Sequence, residues 1–137
     1  MGVIRTDVYL FFNGNCREAI EFYRTIFGGD IYYQPYKEAM GDKASEEEKG
    51  WVMHAALKGG DVEMMASDTE KASPVAKKVS ISLSGDDEEK LRKIFAYLSQ
   101  EVEVRFPLKK EFWGDTFGTV TDKYGIEWMV NIREPKS

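Results

Sequence analysis

Apolar and polar positions along this chain fall into two passes of the same order. Val3 to Phe12 is a β-branched and aromatic run, read as a buried strand because it is too continuous for a strand with one wet face. Asn13-Gly14-Asn15 breaks it, and Asn15 is placed to cap a helix with Glu18 three residues on, in capping-box position. Ala19, Phe22, Tyr23, Ile26 and Phe27 recur at helical spacing, and Gly28-Gly29 ends that helix. A strand is predicted from Ile31 to about Tyr36. Glu38 to Gly50 is polar and charged and reads as a solvated loop, with a lid over a cleft as the sharper alternative. Trp51 to Leu57 and Val62 to Ser67 then form a hairpin turning at Lys58-Gly59-Gly60-Asp61.

The second pass retraces the first. Val79 to Leu83 alternates apolar residues with Ser, and Ser84-Gly85-Asp86-Asp87 supplies a turn and a helix cap. Leu91, Ile94, Phe95 and Leu98 mark the next helix face. Glu101 to Leu108 is predicted as a strand with Val102, Val104 and Phe106 on one side, and Thr116–Thr121 and Ile126–Ile132 as a hairpin around Asp122-Lys123-Tyr124-Gly125. Laid over each other, Val8 meets Val79, Gly14 meets Gly85, Ile20 meets Leu91, Phe27 meets Leu98, and Val62–Ala66 meets Ile126–Val130. The chain is therefore one domain (1–137) of two β-α-β-β-β units, residues 3–67 and 77–133, with a linker at 68–76. Each unit is expected to pair three consecutive strands as a meander under one helix, and paired units of this kind form clefts where they meet.

Composition narrows the partners. The 137 residues are 42% hydrophobic and 31% charged, ordinary values for a globular domain with a real core. A net charge of -5 argues against nucleic acid and anionic membranes, which select basic surfaces. No apolar run is long enough to span a bilayer, and Asp7 interrupts the place where a signal peptide would carry its apolar stretch. Cys16, the single cysteine, permits no intrachain disulfide and suits a reducing compartment, so a cytoplasmic location is expected.

The doubled plan, with Tyr9-Leu10-Phe11-Phe12-Asn13-Gly14-Asn15-Cys16-Arg17-Glu18-Ala19 and Phe22-Tyr23, Met53-His54-Ala55-Ala56-Leu57, Met64-Met65-Ala66-Ser67-Asp68, Trp113-Gly114-Asp115, Phe117-Gly118 and Gly125-Ile126-Glu127-Trp128, resembles the vicinal oxygen chelate superfamily and its PhnB-like branch. The resemblance covers nearly the whole chain. It implies an α+β glyoxalase/bleomycin-resistance fold, with curled mixed sheets around a cleft. It also implies a divalent metal in the concavity, held by His, Gln or Glu from the first and last strands of each unit. Family folds often complete these hollows across two chains, which implies a homodimer.

This chain departs from the family's metal pattern. The ligand positions fall at Val8, Met65, Val79 and Met129, and neither valine nor thioether holds a hard divalent ion. Shifting by one residue selects Tyr9, Ser80, Met64 or Ala66, and Trp128 or Val130, which serve no better. His54 is the only histidine and reads as a strand residue hydrogen-bonding in or beside the cleft; Asp68, Asp115 and Glu127 find no second histidine to join. Glu63 and Glu127 are expected on the sheet face opposite Met65 and Met129. The expected cavity wall is Val8, Tyr36, Trp51, His54, Met65, Val79, Trp113, Asp115, Phe117 and Met129. Cys16 at a helix start would favour a thiolate, but His54 is its one candidate base, and a small structural residue is the plainer reading.

The functional expectation is binding of a small, partly apolar molecule without cofactor or metal, in a homodimer, with catalysis left open. A lyase, isomerase or dioxygenase with a relocated divalent metal is the enzymatic alternative, and sequestration of a drug-like ligand is the third. A methyltransferase role, sometimes attached to PhnB-like chains, finds no glycine-rich nucleotide loop after the first strand.

Overall fold

The structure, a computed structural model, describes residues 7–35, 50–69 and 79–135. Tyr36, the segment expected as loop or lid up to residue 49, and residues 70–78 lie outside the described residues. The chain divides into two compact units, Met1–Ser73 and Pro74–Ser137.

Unit 1 runs β1 (Val8–Phe12), α1 (Cys16–Phe27), β2 (Asp30–Pro35), β3 (Val52–Lys58) and β4 (Met64–Asp68). Its mixed sheet has the order β1-β4-β3-β2: β2, β3 and β4 form the antiparallel meander, and β1 joins β4 in parallel. Unit 2 repeats this with β5 (Ile81–Gly85), α2 (Glu88–Leu98), β6 (Phe106–Lys110), β7 (Thr116–Thr121) and β8 (Glu127–Ile132), in the order β5-β8-β7-β6. This is the paired β-α-β-β-β architecture expected from the sequence.

One helix covers one face of each sheet. In α1 the stripe Ala19, Ile20, Tyr23 and Phe27 is buried, and it packs on the face that carries Leu10, Phe12, Ala55, Leu57, Met64 and Ala66. Burying each large member of this layer stabilises the unit by about 2 kcal/mol. In α2 the stripe is Leu91, Ile94, Phe95 and Leu98, over Trp128, Val130, Ile132 and Val120. Strand β1 is one-sided rather than buried on both faces: Leu10 and Phe12 are covered, while Tyr9 is 36% and Phe11 58% exposed.

The glycine pairs do close work. Asp61 N–H donates to Phe27 O at 2.9 Å, bringing the β3–β4 hairpin against the end of α1. A Cβ on Gly29, whose φ is +98°, would stand 2.6 Å from Lys58 O, so only glycine fits there.

Two expectations about register change. Thr69 N–H donates to Phe12 O and Arg133 N–H to Gly85 O, each at 2.7 Å, so Phe12 and Gly85 occupy the same rung of the two parallel ladders. Gly14 instead sits in the β1–α1 turn with φ +90°. The helices keep the expected match, whereas the first strands slip by two residues because the turn after β5 is shorter. The expected strand from Glu101 begins only at Phe106. Leu98 ends α2, Val102 N–H turns back to Ser99 O, and Glu101 takes a left-handed φ of 64° beside Lys123, so Val102 lies in a turn and Val104 in the irregular stretch before β6.

Buried carboxylates fix the connections. Asn15 makes no side-chain cap bond. The first N–H of α1, from Cys16, donates to Asp68 Oδ1 at 2.9 Å, and Val52 N–H donates to Asp68 Oδ2 at the same distance. Asp68, expected to open the linker, is thus the last residue of β4 and only 2% exposed. In unit 2 the helix is capped locally, with Asp87 Oδ1 accepting from Lys90 N–H at 3.2 Å. There the buried acid is Asp122, which accepts from Tyr124 N–H, Ile126 N–H and Trp128 Nε1 at 2.9, 3.1 and 2.8 Å.

Replacing Asp68 with Ala orphans two buried N–H donors. Urea unfolding of Asp68→Ala is expected to show a loss of about 3 kcal/mol, and Asp68→Asn, which keeps one acceptor, a smaller loss.

Candidate binding face

Strand alternation leaves the face opposite each helix open. In unit 1 the register places Tyr9 beside Met65, Met65 beside Ala56, and Ala56 beside Tyr32; Phe11 lies beside Ser67, and Gln34 beside His54. The result is an aromatic, thioether and imidazole surface on which Tyr32 is 61% exposed. Phe11 and Tyr9 have ring centroids 5.0 Å apart, Tyr9 and His54 5.7 Å, and Tyr9 Oη lies 3.1 Å from His54 Nδ1.

On the open face of unit 2, Met129 pairs with Ser82 and Thr119, Asn131 with Ser84 and Phe117, and Glu127 with Thr121. Glu127 therefore shares the face of Met129, contrary to expectation, because residues two apart on a strand point the same way; its carboxylate accepts from Ser80 Oγ. Glu63 precedes β4 and accepts from Gly59 N–H at 2.9 Å. At the β6–β7 turn, Trp113 packs edge-on to Phe112 (4.9 Å) and on Phe117 (6.3 Å).

Of the predicted wall, His54 and Met65 lie together on the unit 1 face, and Phe117, Trp113 and Met129 lie on or beside the unit 2 face. Val8 falls on the helix side, in register with Met64, and Val79 precedes β5 and is 81% exposed. Trp51 is buried against the β1–α1 turn, its Nε1 3.0 Å from where a Cβ on Gly14 would stand. Asp115 spends its carboxylate locally. It accepts from Asn131 Nδ2 at 3.0 Å and Glu134 N–H at 2.9 Å, and these bonds hold it below the usual carboxylate range. Tyr9, Phe11 and Tyr32, absent from the predicted wall, also lie on the unit 1 face; the period-two split of Tyr9/Phe11 from Leu10/Phe12 is the signal that identifies the first two.

Among the described residues, neither open face gathers the donor set that a hard divalent ion takes. Unit 1 presents one imidazole with phenols, the Gln34 amide, the Ser67 hydroxyl and a thioether, its Asp30 carboxylate standing at the far end beside Lys58; unit 2 presents Glu127, and Asp115 bonded to Asn131, among hydroxyls and a thioether. Among the described residues, no group of three or more His, Cys, Asp and Glu could hold a metal ion. A polar groove of about 340 Å³ lies elsewhere in unit 2, between the start of α2 and the β6–β7 and β8 ends. Among its lining charges, Arg92 pairs with Glu88 one turn away on α2 at 2.8 Å, and Lys110 approaches Glu134 at 3.9 Å.

The repeated β-α-β-β-β units, each with one sheet face left open, define a class, and the sequence profile agrees with it. The chain belongs to the Glyoxalase/Bleomycin resistance protein/Dioxygenase superfamily, whose profile matches residues 5–130. It is 26% identical over 135 residues to Protein YjdN of Escherichia coli strain K12, covering 90% of this chain and 92% of that one. The solved protein PA1353 from Pseudomonas aeruginosa is similar at 34% identity and a TM-score of 0.81, over 97% of this chain and all of that one. A PhnB protein from Bacillus cereus, provisionally labelled a 3-demethylubiquinone-9 3-methyltransferase, shares the fold at 24% identity and a TM-score of 0.74, over 94% and 99% of the two chains. No helix among the described residues is long and apolar enough to cross a membrane.

Cys16 is fully buried, and its thiol is pushed up to about 12 by burial first and by the Asp68 carboxylate second, with Arg17 opposing. The helix-start thiolate considered from the sequence is therefore suppressed. Native protein at neutral pH is expected to react with an aromatic disulfide reagent at least a hundredfold more slowly than protein unfolded in guanidinium, which exposes the thiol.

Proposed function

We propose that this protein binds a small, partly apolar organic molecule on its open sheet faces without a resident metal ion. The observation that carries this reading is the open face of unit 1, where Tyr9, Phe11, Tyr32, His54 and Met65 share one side of the sheet. Aromatic rings supply rigid stacking area, and a thioether adapts to irregular shapes. Exposed apolar side chains gathered into one contiguous patch, rather than scattered singly, are a mark of ligand or partner sites. The family includes proteins named for resistance to a small drug, which supports a binding or sequestering role as readily as catalysis. Homodimerisation belongs to the same proposal, with the exposed aromatics as its support, and so does a cytoplasmic setting, with the single thiol as its support.

The test pairs metal analysis with a neutral aromatic probe. Protein purified without chelators is expected to carry well below one equivalent of zinc, nickel, manganese or iron. N-phenyl-1-naphthylamine is expected to bind saturably, and Met65→Asp to weaken it about tenfold or more, since a carboxylate is introduced into the contact. Stoichiometric metal held by the chain's own side chains, or no saturable binding, overturns the proposal.

A further inference from the structure

Three rings, Phe11, Tyr9 and His54, form a row across the open face of unit 1. Tyr9 and His54 stand on strands that are not neighbours: β4 lies between β1 and β3 and presents Met65 and Ser67 on this face. The phenol reaches across that strand, and its hydroxyl meets His54 Nδ1 at 3.1 Å. Such a bond joins a polar pair inside a surface that is otherwise suited to apolar contact.

We propose that Tyr9 and His54 form a recognition pair for a planar aromatic ligand bearing an acceptor oxygen, such as a carbonyl, with the His54 Nε2–H as the donor. The inference rests on the reading that this face takes a small, partly apolar molecule, and it names the class. A neutral imidazole has one donor and one acceptor nitrogen. When Tyr9 donates to Nδ1, the ring's proton is fixed on Nε2, and Nε2–H is left to meet a ligand. The Tyr9 and Phe11 rings beside the imidazole supply the stacking surface for a flat molecule. Charge on the face favours a neutral acceptor over an anion. The charged strand residues on this side are Asp30 and Lys58, register partners at one end of β2 and β3, and Tyr32, Gln34, Ala56, Met65 and Ser67 are uncharged.

Two neutral fluorescent probes separate this inference from the reading beneath it. The aryl ketone 6-propionyl-2-dimethylaminonaphthalene carries an acceptor oxygen; N-phenyl-1-naphthylamine has comparable rings and none. Wild-type protein is expected to bind both. His54→Phe, which keeps a ring and removes the donor, is expected to weaken the ketone about tenfold, the scale of one hydrogen bond, and to leave the amine within about twofold. Tyr9→Phe is expected to weaken the ketone by a smaller factor, because it frees the tautomer without removing the donor. Long-range ¹H–¹⁵N correlation of the imidazole is expected to show the Nε2–H tautomer in wild type and a mixture in Tyr9→Phe. Equal losses for both probes, no loss for the ketone, or an Nδ1–H tautomer in wild type overturns the inference while the binding reading stands. If wild type binds neither probe, the binding reading itself fails and takes the inference with it.

Discussion

A four-stranded sheet with a single helix can cover only one of its faces, and this constraint organises each unit. Strand alternation sorts the side chains accordingly. In β1 it sends Leu10 and Phe12 under α1 and leaves Tyr9 and Phe11 outside. In β4 it separates adjacent methionines, Met64 into the core and Met65 onto the open face. The buried carboxylates hold that sorting in place. Asp68 ties the start of α1 and the start of β3 to the end of β4, so helix and sheet cannot slide without orphaning backbone donors. Asp122 does the equivalent work in the β7–β8 hairpin through the Trp128 indole.

The chemistry available follows from which face a group lands on. Cys16 and Asp68 are on the covered side, where burial keeps the thiol protonated and two backbone N–H groups engage the carboxylate. Asp115 is engaged with Asn131 and the Glu134 backbone. Outward in unit 1 stand flat and polarisable side chains, with one imidazole held by one phenol, the Gln34 amide beside it, and Asp30 and Lys58 at one end. That surface is suited to stacking and a directed hydrogen bond, and its described residues include no donor cluster for a hard cation.

Much of this architecture is legible in the sequence. The helix stripes Ile20/Phe27 and Leu91/Leu98, the glycine turns and the hairpins follow from local periodicity and backbone chemistry, and together they expose the repeat. The faces are harder to read. The family's first-strand ligand position falls at Val8 only if the Asn13-Gly14-Asn15 turn has a fixed length, which no periodicity sets, and Val8 lands on the helix side. Continuous apolarity in β1 hides a real alternation, because the outward residues are aromatic rather than polar. Glu127 was legible by parity, since it lies two residues from Met129. The capping role of Asp68 was not, because it joins segments far apart in sequence. Val102 carries strand propensity that the closing turn of α2 overrides.

The adjacent methionines allow the central claim to be read directly. In protein labelled with ¹³C at the methionine methyls, saturation with N-phenyl-1-naphthylamine is predicted to shift Met65 strongly and leave Met64 where it was, since the two point to opposite sides of one strand. A bound probe that moves Met64 and spares Met65 would place the ligand on the covered face and contradict the account.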